Sequence, residues 1–316
     1  MKEMHADADG PQSRSDGGAA TGAAGGPMLS VIVPHYNDLG GLARCLDCLD
    51  QQTLSREQFE VVVADNNSPQ GREAVEAVVR GRATVVVVTE KGAGPARNGA
   101  VAASRGEILA FTDSDCLPEP EWLTGGLEGL KSYDFVGGRV RVSVPDPERM
   151  TGAEAFERVF AFNFEDYINR KHFTGSGNLF CARTLFEAVG PFGVGVSEDV
   201  DWSRRAVAAG FRLGYEKRAV IWHPARRDWA DLRSKWLRMN REAFGLAGNG
   251  PRARLKWMLK ACALPASAFV HSGRVFTSPE LSTARQRLLA LGTLFRLRFW
   301  RSWDAWRIVL ASGRQG

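Results

Sequence analysis

Four short apolar runs alternate with segments of helical length over residues 29–112, and this alternation restricts the fold more than any other feature of the chain. Leu29-Ser-Val-Ile-Val-Pro34 and residues 59–64, 84–89 and 107–112 read as strands. Residues 39–52, residues 71–80 and a segment opening at Gly92-Ala-Gly-Pro-Ala-Arg97-Asn98 read as helices. Strands separated by helices are joined by crossovers, which predicts an α/β fold with a mostly parallel sheet covered on both faces. Further along, residues 135–144 have strand character, 152–168 helical character, and Phe173-Thr-Gly-Ser-Gly-Asn-Leu-Phe180 carries two glycines, Gly175 and Gly177, that permit close backbone approach to a ligand. Ser197-Glu-Asp-Val-Asp-Trp202 opens a helix ending near Gly210, and a last strand finishes in Ile221-Trp-His223-Pro224.

Open α/β sheets bind ligands at the carboxyl ends of their strands. The polar clusters fall there: Pro34-His-Tyr36-Asn37, Asp65-Asn-Asn67-Ser68, Arg97-Asn98 and Asp113-Ser114-Asp115. In extended backbone, residues i and i+2 share a side, so Asp113 and Asp115 face one small volume at the exit of their strand. Two anions held that close repel unless a cation lies between them, and oxygen ligands suit Mg²⁺ or Mn²⁺. An Asp-rich turn that simply ends a strand is the bland alternative. Gly92-x-Gly94 lacks the third glycine of a dinucleotide-binding turn, and no Gly-Lys-Ser/Thr phosphate loop is present.

The formal charge of +5 conceals an asymmetry. Residues 1–203 hold 18 Lys and Arg against 30 Asp and Glu, whereas residues 204–316 hold 23 against 6. A basic carboxyl-terminal third directs attention to phosphates, on a membrane, a substrate or a nucleic acid, but no nucleic-acid recognition motif accompanies it. Residues 1–27 lack an apolar core and read as a disordered tail; no uncharged apolar run is long enough to span a bilayer. Cys45-x-x-Cys48 lies on the apolar face of a helix with Leu42, Leu46 and Leu49, so its thiols read as core and a reducing cytoplasm is expected.

Taken in order, Ser30-Val-Ile-Val-Pro34, Asp65-Asn-Asn-Ser68, Arg97-Asn98, Phe111-Thr-Asp-Ser-Asp115, Glu198-Asp199 with Trp202 and Arg205, and His223 resemble family 2 glycosyltransferases of the GT-A fold. The resemblance covers about residues 29–225. It implies inverting transfer of one sugar from a nucleotide-diphosphate donor, expected to be a UDP-sugar, to a hydroxyl of a glycan or lipid-linked acceptor in cell-surface polysaccharide or glycolipid synthesis. It implies Asp115, Asp113 and His223 as the metal set and Asp199 as the base. Pro34, Tyr36, Asn37, Asp65, Asn67, Arg97, Asp113 and Ser114 would bind the donor. Gly175, Asn178, Glu198, Trp202 and Arg205 would contact the acceptor or support those that do.

Residues 28–250 would form the catalytic domain and 251–316 a basic helical extension. Leu281, Leu288, Phe295, Phe299, Trp303, Trp306 and Leu310 are placed on one helical stripe beside Arg287, Arg298, Arg301 and Arg307. Such a stripe either lies on an anionic membrane at the cytoplasmic face or packs on the catalytic domain. Two other functions remain open on sequence alone: a nucleotide-sugar-binding protein without turnover, and a nucleotidyltransferase. The second would call for a Gly-rich basic loop where this chain has Pro34-His-Tyr-Asn37.

Overall fold

The computed structural model describes residues 26–194, 197–247 and 250–312, so the tail expected over residues 1–27 lies almost wholly outside the described residues. The amino-terminal half alternates as the sequence predicts: β1 (Leu29–His35), α1 (Leu39–Leu49), β2 (Phe59–Asp65), α2 (Gly71–Val79), β3 (Thr84–Val87), α3 (Ala93–Ala103) and β4 (Ile108–Thr112). Asp38 caps α1 by accepting the Gly41 N–H at 2.8 Å. The buried face of that helix is Leu42, Cys45, Leu46 and Leu49, and both Cys45 and Cys48 are free thiols. Neighbouring residues of β1 enter different cores, Val31 and Val33 with the α1 side and Ile32 with the α3 side, as expected of a strand covered on both faces.

After β4 the chain adds β5 (Leu117–Pro118), α4 (Trp122–Leu130), β6 (Phe135–Ser143), α5 (Gly152–Phe160), α6 (Phe164–Lys171), β7 (Asn178–Ala182), α7 (Arg183–Val189), α8 (Glu198–Ala208) and β8 (Leu213–Pro224). All eight strands form one sheet in the order β3-β2-β1-β4-β7-β6-β8-β5. The sheet is mixed. β1, β2, β3 and β4 are mutually parallel and β6 is parallel to β8, whereas β7 runs against both β4 and β6, and β5 runs against β8. Reversal of β7 puts its first residue, Asn178, opposite Thr112 at the carboxyl end of β4.

The single helix expected over residues 152–168 is two. Phe162 adopts φ 55°, a left-handed conformation that ends α5, and Asn163 restarts the chain by accepting the Asp166 N–H at 3.4 Å. Three long helices close the fold: α9 (Trp229–Ala247), α10 (Pro251–Thr277) and α11 (Ala284–Ser312). Among the described residues no helix is long and apolar enough to cross a membrane. The expected boundary at residue 250 is not a boundary in packing. Met150, Ala153 and Phe156 of the α5 region, Leu232 of α9, Ala268 and Val275 of α10, and Leu294 and Leu297 of α11 form one apolar core.

Candidate active site

Strand ends assemble the site, and one pairing brings its remote member home. β5 follows the Asp113–Cys116 turn directly and pairs with β8, Leu117 opposite Trp222. His223 therefore arrives beside the acids, its Nε2 3.6 Å from Asp115 Oδ2. Nδ1 of His223 lies 2.8 Å from the Pro224 carbonyl. A carbonyl only accepts, so Nδ1 carries a proton and Nε2 is the ring nitrogen turned toward Asp115, the one placed to ligate a metal.

Asp113, Asp115 and Cys116 place one ligand atom each within 4.8 Å of one another. Burial pushes the Cys116 thiol well up, so it stays protonated and is a poor ligand. Burial also raises the Asp115 carboxyl above its usual range; His223 opposes that rise and Asp113 adds to it. Asp113 has a cation of its own, for Arg97 Nη2 donates to it at 2.5 Å. Asp115 has the imidazole beside it, with the Arg226 guanidinium acting from farther off, so Asp115 and His223 are the residues that fit a divalent ion most directly, with Asp113 at the edge of the set.

Arg97 projects from α3 and is 3 % exposed. Its second donor, Nη1, binds Glu198 Oε1 at 2.8 Å. Expected to bind the donor, this guanidinium holds two carboxylates inside the protein. Glu198 and Asp199 begin α8, where the free N–H groups of a first turn favour anions. Asp199 Oδ1 accepts the Val200 N–H at 2.7 Å. Burial and the adjacent Glu198 nevertheless raise the Asp199 carboxyl to about 6, with Asp113 contributing.

Other sequence candidates serve the frame. Asp65 is buried, bound through Oδ1 to His35 Nδ1 at 2.9 Å and to the Ser68 hydroxyl, and through Oδ2 to the Ser68 N–H at 3.0 Å. Its oxygens lock the ends of β1 and β2 together rather than face outward. His35, passed over as a loop residue in the sequence, is the other half of that lock. Pro34 is half-buried at the end of β1, and Ser114 is half-buried in the acid turn. Tyr36 is 61 % exposed; Asn37 and Asn67 are exposed in left-handed turns with φ 55° and 58°. Asn178 is fully buried: it accepts from Trp122 Nε1 at 2.9 Å and donates to the carbonyls of Arg139 and Ala219 at 3.1 and 3.0 Å. Trp202 is core, its Nε1 bound to the Gly190 carbonyl at 2.9 Å. Arg205 binds Asp201 at 2.9 Å and the carbonyls of Val189 and Pro191, fixing the loop before α8. The glycines allow close approach, but of protein rather than ligand. A Cβ on Gly175 would meet the Phe164 ring at 2.5 Å, and one on Gly177 would meet Asp113 Oδ2 at 2.7 Å.

The fold resembles that of the mannosyltransferase PcManGT of Pyrobaculum calidifontis, solved with GDP-Man and Mn²⁺, with a TM-score of 0.56 and 23 % identity over 91 % of this chain and 87 % of that one. Residues 30–189 match the family described as glycosyl transferase family 2. Glycosyltransferase AglE of Haloferax volcanii is 31 % identical over 223 residues, 68 % of this chain and 72 % of that protein. Validoxylamine A glucosyltransferase of Streptomyces hygroscopicus subsp. jinggangensis is 35 % identical over 101 residues, but the match spans 31 % of this chain and 24 % of that protein. The chain belongs to glycosyl transferase family 2 and is a glycosyltransferase of the GT-A fold.

Proposed function

We propose that this enzyme moves one sugar from a nucleotide-diphosphate donor to an acceptor hydroxyl with inversion, Asp199 acting as the base. One observation carries the proposal: a carboxyl raised to about 6 at the start of α8, tied through Glu198 and Arg97 to the same acid turn that His223 faces. A single displacement needs one group to take the acceptor proton, and a carboxylate near pKa 6 is ionised yet basic enough at neutral pH. Mn²⁺ or Mg²⁺ held by Asp115 and His223, with Asp113 through water or the donor sugar, would neutralise charge on the departing diphosphate. Tyr36, Asn37 and Asn67, exposed at the ends of β1 and β2, would meet the nucleoside. Asp65 and Arg97 support this surface from within. Incubation with a panel of uridine, guanosine and thymidine diphosphate sugars, with and without Mn²⁺, tests the donor class by metal-dependent hydrolysis and thermal stabilisation. The anomeric configuration of the product, read by NMR, tests the displacement; a retained configuration overturns it.

An anionic membrane is the partner we assign to the outer face of α10 and α11. Those helices hold eleven Lys and Arg and one acid, Asp304, which is buried against Asn240. The stripe expected from sequence divides on the structure. Leu281 is buried and Phe295 and Trp306 pack against apolar cores, whereas Leu288, Phe299, Trp303 and Leu310 are exposed, as are Leu255, Leu259, Phe269 and Phe276 of α10. α11 thus has one apolar face in the protein and another outside it, and exposed aromatics among arginines suit a headgroup layer.

A further inference from the structure

Within the proposed metal set, Asp113 and Asp115 lie in one turn, whereas His223 is brought to them near the end of another strand, β8. Its ring must be aimed by what surrounds it. Nδ1 meets the Pro224 carbonyl at 2.8 Å, a contact with the next residue of its own strand that fixes one edge of the imidazole. A second contact comes from outside the strand. The Phe162 ring, from the junction between α5 and α6, has its centroid 4.6 Å from that of the imidazole, with the two planes inclined by 40°. The His223 side chain is left 14 % exposed.

Phe162 holds φ 55°, a left-handed backbone that a bulky residue keeps only where its surroundings impose it. Two cations pack on its ring, Lys235 Nζ at 5.2 Å and the Arg226 guanidinium at 6.0 Å from the centroid. Glu157, on the preceding helix and 1 % exposed, ties both down: it accepts from Lys235 Nζ at 2.9 Å and from Arg226 Nη1 at 3.3 Å. Burial pushes its carboxyl up, but Lys235 and Arg226 outweigh that and leave it below the usual range, so it stays ionised. Glu157 Oε2 also accepts the Arg226 main-chain N–H at 2.9 Å. One segment, α5 and the residues after it, thus grips the exit of β8 at two points: the main chain of Arg226 and the ring of His223.

Resting on the metal set proposed above, we propose that Phe162 is a positioning residue whose ring holds the His223 imidazole with Nε2 turned toward Asp115. A hydrogen bond at Nδ1 leaves the imidazole able to swing about that edge, and an aromatic ring packed on it removes the swing. Partners that orient a ligating histidine bear on metal affinity as well as on geometry. Glu157 serves the same end at one remove, by anchoring the cations that pack on Phe162.

Full-length variants test this. Phe162→Asn removes the ring and substitutes a residue that tolerates the left-handed backbone, Phe162→Leu keeps apolar bulk without a flat face, and Phe162→Tyr keeps the ring. Phe160→Leu, which breaks the stacking of Phe160 on Phe156 in the same helix, controls for lost packing. UDP and GDP binding is measured by calorimetry with Mn²⁺ and with EDTA. In Phe162→Asn and Phe162→Leu the Mn²⁺-dependent increment in affinity should fall by about tenfold or more, with the affinity in EDTA unchanged. Phe162→Tyr and Phe160→Leu should keep the wild-type increment. A metal-free readout accompanies this: in histidine-labelled protein the imidazole C–H signals of His223, identified by their loss in His223→Gln, should broaden by exchange in the two ringless variants and stay narrow in Phe160→Leu. A wild-type increment in both ringless variants, an equal loss in Phe160→Leu, or His223 signals that shift without broadening each overturn the assignment. If wild type binds neither nucleotide more tightly with Mn²⁺, the metal reading falls, and the His223 signals alone decide whether Phe162 orients the ring.

Discussion

Asp113 and Glu198 are joined through one guanidinium: Arg97 gives Nη2 to the first at 2.5 Å and Nη1 to the second at 2.8 Å. The acid turn after β4 and the start of α8 are thereby held at a fixed separation, and these are the two pieces that carry the proposed metal set and the proposed base. We propose that Arg97 acts by holding these two segments in place.

Replacing Arg97 with Met should therefore be severe. Two carboxylates would lose their shared partner, and removing one member of a buried ion pair destabilises by about 3–5 kcal/mol. Arg97→Lys keeps the charge but cannot bridge both oxygens with a fork, so its melting temperature should fall between those of Arg97→Met and wild type, with transfer still impaired. Thermal unfolding and transfer rates measured together check this; a lysine variant with wild-type transfer would show that the bridge is dispensable.

Asp115→Asn retains the shape of the turn and removes its charge. Mn²⁺-dependent nucleoside diphosphate binding should weaken by at least about tenfold, while the circular dichroism spectrum is unchanged. Nucleotide affinity measured with Mn²⁺ and with EDTA decides the matter, because only the metal-dependent increment should vanish.

Asp199→Asn should lower transfer by about 10² or more with donor binding intact. In wild type the rate should fall as pH drops through about 6, because the base is then protonated. The same raised carboxyl has a stability consequence of known sign. Its ionised form is disfavoured in the folded protein relative to an unfolded value near 3.9, so the penalty is absent below about pH 4 and complete above about pH 6. Asp199→Asn should accordingly stabilise the protein at pH 7 by on the order of 1–3 kcal/mol, and the gain should disappear near pH 4. Melting curves at the two pH values supply the measurement.

What the sequence made legible was whatever is local. The acid pair is separated by one residue, and the β1–β4 alternation is written in short apolar runs. The contacts of Arg97 were not legible because the way a side chain points from α3 depends on what packs over it, here Asp113 and Glu198. Asp65 looked like an outward ligand because nothing in its own segment announces that His35 will cover it. The break between α5 and α6 had a local signal, Asn163 in a capping position three residues before Asp166, but the apolar periodicity across it overrode that signal. α11 was read with one apolar face because a stripe in sequence does not say which of two partners it meets.

The same two-faced helix alters how membrane attachment is best tested. Deleting α11 would take Leu294 and Leu297 out of the core shared with α5 and α9 and expose Ala153, Phe156 and Leu232. Phe299→Ser with Trp303→Ser touches the outer face alone, where the two side chains are 54 % and 53 % exposed. The double variant should keep the melting temperature within a degree or two and lose about tenfold or more in affinity for anionic vesicles. Co-sedimentation with phosphatidylglycerol vesicles at low salt is the assay; unchanged sedimentation would assign the face to another partner.

The order of the strands also fixes when the site can exist. β8 occupies a slot between β6 and β5, both synthesised before it, and its final residues carry His223 to Asp115. Until that slot is filled, the edges of β6 and β5 stay open and the acid turn has no imidazole opposite it. Closure of the sheet and completion of the proposed ligand set are thus one event, and a partly folded chain presents the acids without the imidazole beside them.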